Sequence, residues 1–233
     1  MRTAIGIVGG LGPEGTVHYY RKLSRQLARL PEEDRPGILV DHVWMDSFAR
    51  LLRGGDEQAT CAPLLASLRR LRAAGAGLAL LAAVTPHLLL PTLRRQSPIE
   101  LVDLVEATKE GLLAAGHRTV SLLGTRLTLT RPFFKAGLEA AGLRVVVPDE
   151  EGIDFLDTLI FGALATGERT QGMADGVSAL VRRMGAKAPL DAVVVACTDL
   201  MDLIEPGTVL LDPIDCHLEV AGRVLAERTR ATR

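Results

Sequence analysis

The chain opens with AIGIVGGLGPEGT at positions 4 to 16, a short apolar run that leads directly into a glycine-rich turn. The run AIGIV predicts a buried strand. After the turn, apolar residues recur every three or four positions, as they do on one face of a helix: Val17, Tyr20, Leu23 and Leu27. A strand, a tight turn and a helix begin a β-α-β unit, so we expect an α/β fold with a mostly parallel sheet.

Short apolar runs alternate with helical stretches along the rest of the chain. We expect further strands at 38–44, 78–84, 119–124, 144–148, 191–196 and 208–212. The alternation restarts after Ser97-Pro98, which predicts two similar lobes, each a mostly parallel sheet covered by helices. Because the last strand and helix are long enough to fold back onto the first half, we expect an N-terminal lobe of residues 1–97 plus 207–233 and a C-terminal lobe of residues 98–206.

Composition narrows the possible partners. The 233 residues carry 27 Lys and Arg against 28 Asp and Glu, so no basic surface is available to attract nucleic acid or an anionic membrane. The longest apolar run, 77–90, is interrupted by Thr85, Pro86 and His87 and is shorter than the roughly 20 residues that span a bilayer. The N-terminus lacks a signal-peptide cleavage pattern. We expect a cytoplasmic protein with a small-molecule partner, no nucleic acid and no membrane.

The glycine-rich turn has two interpretations. Gly10, Gly12 and Gly15 fit the G-x-G-x-x-G pattern of dinucleotide-binding loops, directly after a strand and before a helix. Pro13, however, removes an N–H that a pyrophosphate would use. A sharp strand-to-helix turn needs only the conformational freedom of glycine. We favour the turn over nucleotide binding.

The segment GIVGGLGPEGT at positions 6–16 resembles the G-I-hydrophobic-G-G-x-G-P-x-x-T opening of the aspartate racemase branch of the aspartate/glutamate racemase superfamily. The resemblance continues over nearly the whole chain, in VTPH at 84–87, GTRLT at 124–128, VPD at 147–149, ACTD at 196–199 and DP at 212–213. It implies two pseudo-symmetric lobes with the active site in the cleft between them. It also implies a cofactor-independent isomerase, often a homodimer, that acts on a small amino-acid or carboxylate substrate and binds no metal.

One of the two cysteine motifs of this family is altered. The family pattern Cys-Asn-Thr-x-His corresponds to AVTPH at 83–87, so Ala83 replaces the first cysteine and Val84 replaces the asparagine. Inversion of a carbon centre by two bases needs proton carriers on both faces of the substrate, and Ala83 cannot be one. His87, Asp46 or a held water are the candidates for a substitute.

The second family cysteine, Cys197, is present and is the predicted catalytic residue. It follows the predicted strand 191–196 and precedes a short predicted helix, whose N–H groups and dipole favour a thiolate. The carboxylate of Asp199 acts in the opposite direction. Cys61 and Cys216 lie in no comparable motif, and we interpret them as structural.

The resemblance also implies that Thr85, Thr125, Thr128 and Thr198 bind the substrate. We further expect Gly10, Asp199 and Arg50 at the substrate, although Arg50 is equally typical of an ordinary surface charge on a loop. The threonine hydroxyls and neighbouring N–H groups can hold a carboxylate. Threonines at these places are equally typical of turns and helix caps. Asp199 is suited to a substrate ammonium group, and Arg50 to a distal carboxylate.

Three functions are open at this point. The first is an isomerase of the amino-acid racemase type that transfers a proton through Cys197. The second is a single-cysteine decarboxylase or one-face isomerase, which needs no thiol at Ala83. The third is a non-catalytic descendant that binds a ligand without turnover.

Overall fold

Two four-stranded parallel sheets, each covered by helices, form the framework of the protein. The computed structural model describes residues 4–231, without the side chains at positions 229 and 231. The described residues fall into two compact units. Unit 1 runs to Asp103 and resumes at His217, and unit 2 is Leu104–Cys216. This confirms the predicted α/β fold class.

Unit 1 contains the strands β1 (Ala4–Gly9), β2 (Ile38–His42), β3 (Ala76–Leu81) and β4 (Glu100–Leu101). They pair in parallel in the order β2-β1-β3-β4. The helices of this unit are α1 (Pro13–Leu27), α2 (Met45–Gly54), α3 (Glu57–Ala73) and α4 (Leu90–Gln96), and a 3₁₀ helix at Thr85–Leu89 precedes α4.

Local sequence explains where the helices of unit 1 begin and what they cover. Pro13 is the first residue of α1. An N–H at this position would have no intrahelical acceptor, so proline costs the helix no hydrogen bond there. Asp56 caps α3 by accepting a hydrogen bond from the Ala59 N–H at 3.0 Å. The apolar face of α3, which includes Leu64 and Leu68, is buried in the hydrophobic core of the unit.

Unit 2 contains β5 (Thr119–Leu123), β6 (Arg144–Val146), β7 (Ala192–Val195) and β8 (Leu210–Leu211), in the parallel order β6-β5-β7-β8. Its helices are α5 (Leu104–Ala114), α6 (Arg126–Thr130), α7 (Pro132–Glu139), α8 (Glu150–Phe161) and α9 (Gln171–Lys187), with 3₁₀ helices at Leu164–Thr166 and Thr198–Leu203. The last helix, α10 (Pro213–Ala231), begins in unit 2 and continues in unit 1.

The unit boundaries differ from the predicted lobe boundaries at 97/98 and 206/207. β4 pairs with β3, so Glu100 and Leu101 belong to unit 1. The strand predicted at 208–212 does not fold back onto the first half, because β8 pairs with β7 within unit 2. It is α10 that carries the chain back into unit 1. Within residues 4–231, no helix combines the length and the apolar character that crossing a membrane requires.

Two buried histidines form a polar cluster inside unit 1. His217 Nε2 lies 3.1 Å from the Val102 carbonyl oxygen, and its Nδ1 lies 2.8 Å from the Tyr19 hydroxyl. Since a carbonyl oxygen can only accept, Nε2 carries the ring proton and Nδ1 accepts from Tyr19. The ring of His87 lies edge-on to that of His217, with centroids 5.5 Å apart.

Both rings are neutral at physiological pH. Burial lowers the pKa of His87 to about 4 and that of His217 to about 3, from the ordinary value of 6.5. The unfolded chain therefore binds more protons than the folded protein below pH 6.5. The two histidines contribute their full stability above that pH, and this contribution is lost as the pH falls toward about 4.

We predict that the free energy of unfolding, measured by urea denaturation, falls between about pH 6.5 and about pH 4.5. The slope is at most about 1.4 kcal/mol per pH unit for each histidine. His217→Asn should flatten this slope. It will also lower the overall stability, because Tyr19 and Val102 lose a partner, so the slope is the informative quantity. Equal slopes in the parent and the variant would contradict a neutral buried ring.

Candidate active site

The carboxyl ends of β5 and β7 bring two predicted site loops side by side in unit 2. The strands pair with Leu123 opposite Val195, and the Ala196 N–H donates to the Leu123 carbonyl oxygen at 2.8 Å. Thr125 and Cys197 each lie two residues beyond their strand. The parallel register thus places the GTRLT and ACTD loops at the same edge of the sheet.

The GTRLT loop is held by its own threonines and by α8. Thr125 caps α6 by accepting from the Thr128 N–H at 3.5 Å, and the hydroxyl oxygens of these threonines lie 3.2 Å apart. The Arg126 N–H donates to Asp157 Oδ1 at 2.9 Å. Thr128 is buried. The helix-cap interpretation of Thr125 is therefore observed, while its contact with a substrate stays a prediction.

Cys197 heads a chain of side-chain contacts in the ACTD loop. The residue is half-buried and occupies the N-cap position of the 3₁₀ helix Thr198–Leu203. Its sulfur lies 4.0 Å from Asp199 Oδ2, and Asp199 Oδ1 accepts a hydrogen bond from Arg169 Nη2 at 3.1 Å. Arg169 lies in none of the family motifs, so the sequence alone does not mark it as a site residue.

The surroundings of Cys197 keep its thiol protonated. Burial raises the pKa of the Cys197 thiol to about 12, and the Asp199 carboxylate adds to the effect. The N–H groups of Asp199 and Leu200 and the Arg169 guanidinium act in the opposite direction but do not compensate. The N–H groups at the helix start do favour a thiolate, and Asp199 does oppose it, as expected, but desolvation outweighs the N–H groups. At neutral pH the thiol is an acid.

In unit 1 the exits of β1 and β3 are also adjacent, since the Ala82 N–H donates to the Val8 carbonyl oxygen at 2.9 Å. Gly10 follows β1 with φ of 83°. Its N–H donates to Thr16 Oγ1 at 2.9 Å, and the Thr16 hydroxyl donates to the Gly12 carbonyl oxygen at 3.1 Å. The Gly10 N–H is therefore already hydrogen-bonded to Thr16, whose role in ordering this turn the sequence motif does not reveal.

The AVTPH segment orders the exit of β3. Thr85 begins the 3₁₀ helix Thr85–Leu89. His87 is buried, and its Nδ1 donates to the Ala83 carbonyl oxygen at 3.0 Å. Its buried Nε2 has no hydrogen-bond partner among the described residues. With its pKa near 4 and its proton directed at the backbone, His87 positions the loop, which argues against it as a substitute for the missing thiol.

Asp46 and Arg50 lie one turn apart on α2, beyond the edge strand β2, and both are exposed. The predicted residues thus form two groups. Unit 2 holds Thr125, Thr128, Cys197, Thr198 and Asp199, and unit 1 holds Gly10, Thr85, His87, Asp46 and Arg50. Over the described part of the chain, no cluster of three or more His, Cys, Asp or Glu side chains is arranged to hold a metal ion.

The two sheets give Ala83 and Cys197 equivalent positions. The strand orders β2-β1-β3-β4 and β6-β5-β7-β8 match strand for strand, so β3 corresponds to β7. Ala83 is the second residue after β3, and Cys197 is the second residue after β7. One position offers a methyl group and the other a thiol.

Comparison with known proteins agrees with the fold and with the motifs. The family model for Asp/Glu/Hydantoin racemase matches residues 8–221. An aspartate racemase homologue from Pyrococcus horikoshii OT3 is 28% identical, over 96% of this chain and 99% of that chain, with a TM-score of 0.81. The aspartate racemase of Picrophilus torridus is 16% identical, over 96% and 94% of the two chains, with a TM-score of 0.74. Arylmalonate decarboxylase has the same fold, with 17% identity, coverage of 96% and 92%, and a TM-score of 0.55.

We predict that Gly10→Ala is more destabilising than Gly12→Ala. Both glycines have positive φ, so alanine at either position brings backbone strain of about 1–2 kcal/mol. A Cβ on Gly10 would also lie 2.4 Å from the Val43 carbonyl oxygen, whereas nothing lies within 4 Å of a Cβ on Gly12. The extra overpacking is expected to cost about 1–3 kcal/mol in urea denaturation. Equal losses in the two variants would mean that the β1 exit is free to move away from β2.

Proposed function

Because the chain belongs to the Asp/Glu/hydantoin racemase family, we propose that it is a cofactor-independent enzyme of this type. In this proposal it transfers a proton at the carbon next to the carboxylate of a small acid. Cys197 is the proton carrier, and it serves one face of the substrate.

The observation that carries the proposal is the half-buried Cys197 thiol at the carboxyl end of β7, directed at Asp199. Ligands of parallel sheets bind beyond this end of the strands. A thiol with a pKa of about 12 holds its proton at neutral pH, so it can protonate a carbanion or enolate as that species forms. The resting protein is therefore prepared to donate a proton before it accepts one.

The absence of a thiol at Ala83 favours chemistry on one face. Racemisation by two bases requires a second proton carrier, and Ala83 has only a methyl group. The candidates from the sequence are the exposed carboxylate of Asp46, the buried ring of His87 and a held water. The hydrogen bond from His87 to the Ala83 carbonyl oxygen argues against His87. With an amino-acid substrate bound, Cys197 first loses its proton to water, and the thiolate then removes the α-proton and returns a proton to the same face. We therefore propose proton exchange with retention of configuration as the main outcome for an amino-acid substrate.

Decarboxylation is the second candidate, and the protonated state of Cys197 favours it. Loss of carbon dioxide from a malonate-type acid leaves an enolate that needs one proton. The Cys197 S–H bond breaks as the new C–H bond forms, and the thiolate then takes a proton from water. This sequence uses no base on the second face.

The substrate carboxylate is proposed to bind at the adjacent GTRLT and ACTD loops. Thr125, Thr128 and Thr198 offer hydroxyl and N–H groups beside the thiol-bearing strand exit. An amino-acid substrate would direct its ammonium group toward Asp199, which would offset the negative charge that opposes a Cys197 thiolate. We also propose that Gly10, Thr85 and Arg50 of unit 1 contact the substrate.

The family resemblance further leads us to propose a homodimer. Light scattering after size-exclusion chromatography tests this proposal.

We predict deuterium incorporation at the α-carbon when the protein is incubated in heavy water with aspartate, glutamate or a substituted malonate. Proton NMR measures the exchange or decarboxylation, and chiral chromatography measures the configuration. Cys197→Ser should lower the rate by about 100-fold or more, because a hydroxyl is a far weaker acid than a thiol. Cys216→Ala removes another thiol of unit 2, one that packs against Gly111, and should retain the rate.

The stereochemical outcome separates the alternatives. Exchange with retained configuration, or loss of carbon dioxide to a product of one hand, supports the proposal. Exchange with racemisation would contradict one-face chemistry and indicate a second proton carrier. No turnover of any carboxylate, together with ligand binding that Cys197→Ser leaves unchanged, would favour the non-catalytic function.

A further inference from the structure

Arg169 connects the segment between α8 and α9 to the candidate catalytic thiol. It follows the 3₁₀ helix Leu164–Thr166 and the turn residue Gly167, whose φ is 82°. Arg169 Nη1 donates to two backbone carbonyl oxygens, that of Leu164 at 3.3 Å and that of Glu168 at 3.0 Å. These bonds fix the guanidinium to its own segment. The other terminal nitrogen, Nη2, extends to Asp199.

We propose that Arg169 is a positioning residue that holds the Asp199 carboxylate against the Cys197 thiol. The inference deepens the proposed function, because it concerns the group that we propose as the proton carrier.

The geometry assigns one oxygen of Asp199 to each neighbour. Oδ1 accepts from Arg169 at 3.1 Å, and Oδ2 lies 4.0 Å from the sulfur of Cys197. The hydrogen bond from Arg169 restrains the carboxylate in the orientation in which Oδ2 faces the sulfur. The planar guanidinium can bond the two carbonyl oxygens and the carboxylate at the same time, whereas the point charge of a lysine cannot reproduce this fork.

The charges of the two residues act on the thiol in opposite directions. Asp199 raises the pKa of Cys197 and Arg169 lowers it, and these are the charged side chains that act most strongly on the sulfur. The positive charge of Arg169 partly offsets the negative charge of Asp199, so that Asp199 raises the pKa of the Cys197 thiol less than it would alone. Proton transfer through sulfur needs both protonation states, so this balance sets how readily Cys197 passes between them.

This ion pair is more enclosed than an ordinary surface pair of the same unit. The side chains of Arg169 and Asp199 are 34% and 26% exposed, whereas those of Arg182 and Glu205 are 62% and 57% exposed at an N–O distance of 2.7 Å. Exposed pairs contribute little because water screens them. The pair of Arg182 with Glu205 is therefore a matched control for the loss of an arginine.

The test is the rate at which Cys197 reacts with iodoacetamide near pH 8.5, measured by mass spectrometry of the peptide that contains it. Iodoacetamide is neutral, so charge substitutions do not change its local concentration. The rate follows the thiolate fraction, which changes about tenfold for each unit of pKa. We expect Asp199→Asn to react about tenfold faster than the parent, because no carboxylate then opposes the thiolate. Arg169→Gln should react several-fold slower, because Asp199 then opposes the thiolate with its full charge, and Arg182→Gln should react like the parent.

A double-variant cycle separates an effect of Arg169 that acts through Asp199 from a direct effect of its charge on the sulfur. If Arg169 acts through Asp199, Arg169→Gln changes the rate several-fold in the parent but by less than about twofold in the Asp199→Asn background. The proposal is overturned if Arg169→Gln reacts like the parent, or if its fold-change is the same in both backgrounds. Arg169→Lys keeps the charge and is expected between the parent and Arg169→Gln. It provides the comparison if the glutamine variant does not fold by circular dichroism.

The reaction of Cys197 with iodoacetamide can be measured whether or not the protein turns over a substrate. Coupling among these residues without isotope exchange would leave Arg169 in its role while contradicting the proposed function. Exchange that needs Cys197 but shows no such coupling would retain the function and remove the role of Arg169.

Discussion

The parallel pairing of β5 with β7 is the constraint on which the candidate site depends. Opposite partners Leu123 and Val195 end their strands at the same level, so the loops that follow begin side by side. Neither loop is regular structure at this point, and the backbone hydrogen bond from Ala196 to Leu123 is what holds them together. Residues that are more than 70 positions apart in sequence are thereby brought to one edge of the sheet. The strand register therefore places the threonines of one loop at the same sheet edge as the cysteine of the other.

Desolvation decides the protonation state of Cys197. The 3₁₀ helix start directs the N–H groups of Asp199 and Leu200 at the sulfur, but removal of water from the thiolate costs more than these groups return. The nearby carboxylate adds to the cost, and a guanidinium that is fixed to its own backbone reduces it. A cysteine in this setting is an acid that needs a substrate to become a base. This balance accounts for the preference for proton donation in the proposed chemistry.

Apolar periodicity predicted the long strands and helices. It did not predict the short elements, which form because of tertiary contacts. The strands β1, β3, β5 and β7 and the helix α1 follow apolar patterns that need no other information. β4 has two residues and exists because it pairs with β3, and α4, α6 and α7 are too short for a clear period. Motifs located Cys197 and Asp199 in one loop, because those residues are adjacent in the chain. Arg169 is 30 residues away from Asp199 and joins it only through the fold.

The repeated topology shows how one backbone arrangement serves two purposes. After β3, His87 donates its Nδ1–H to the carbonyl oxygen of Ala83, whose methyl side chain has no polar atom. After β7 the neighbouring polar residue, Asp199, faces the side chain itself, since a thiol can exchange a proton. Both contacts fix a strand exit, but only the second places an ionisable group beside another. The two strand exits therefore differ by a single side chain at equivalent positions of the two sheets, a methyl group in one and a thiol beside a carboxylate in the other.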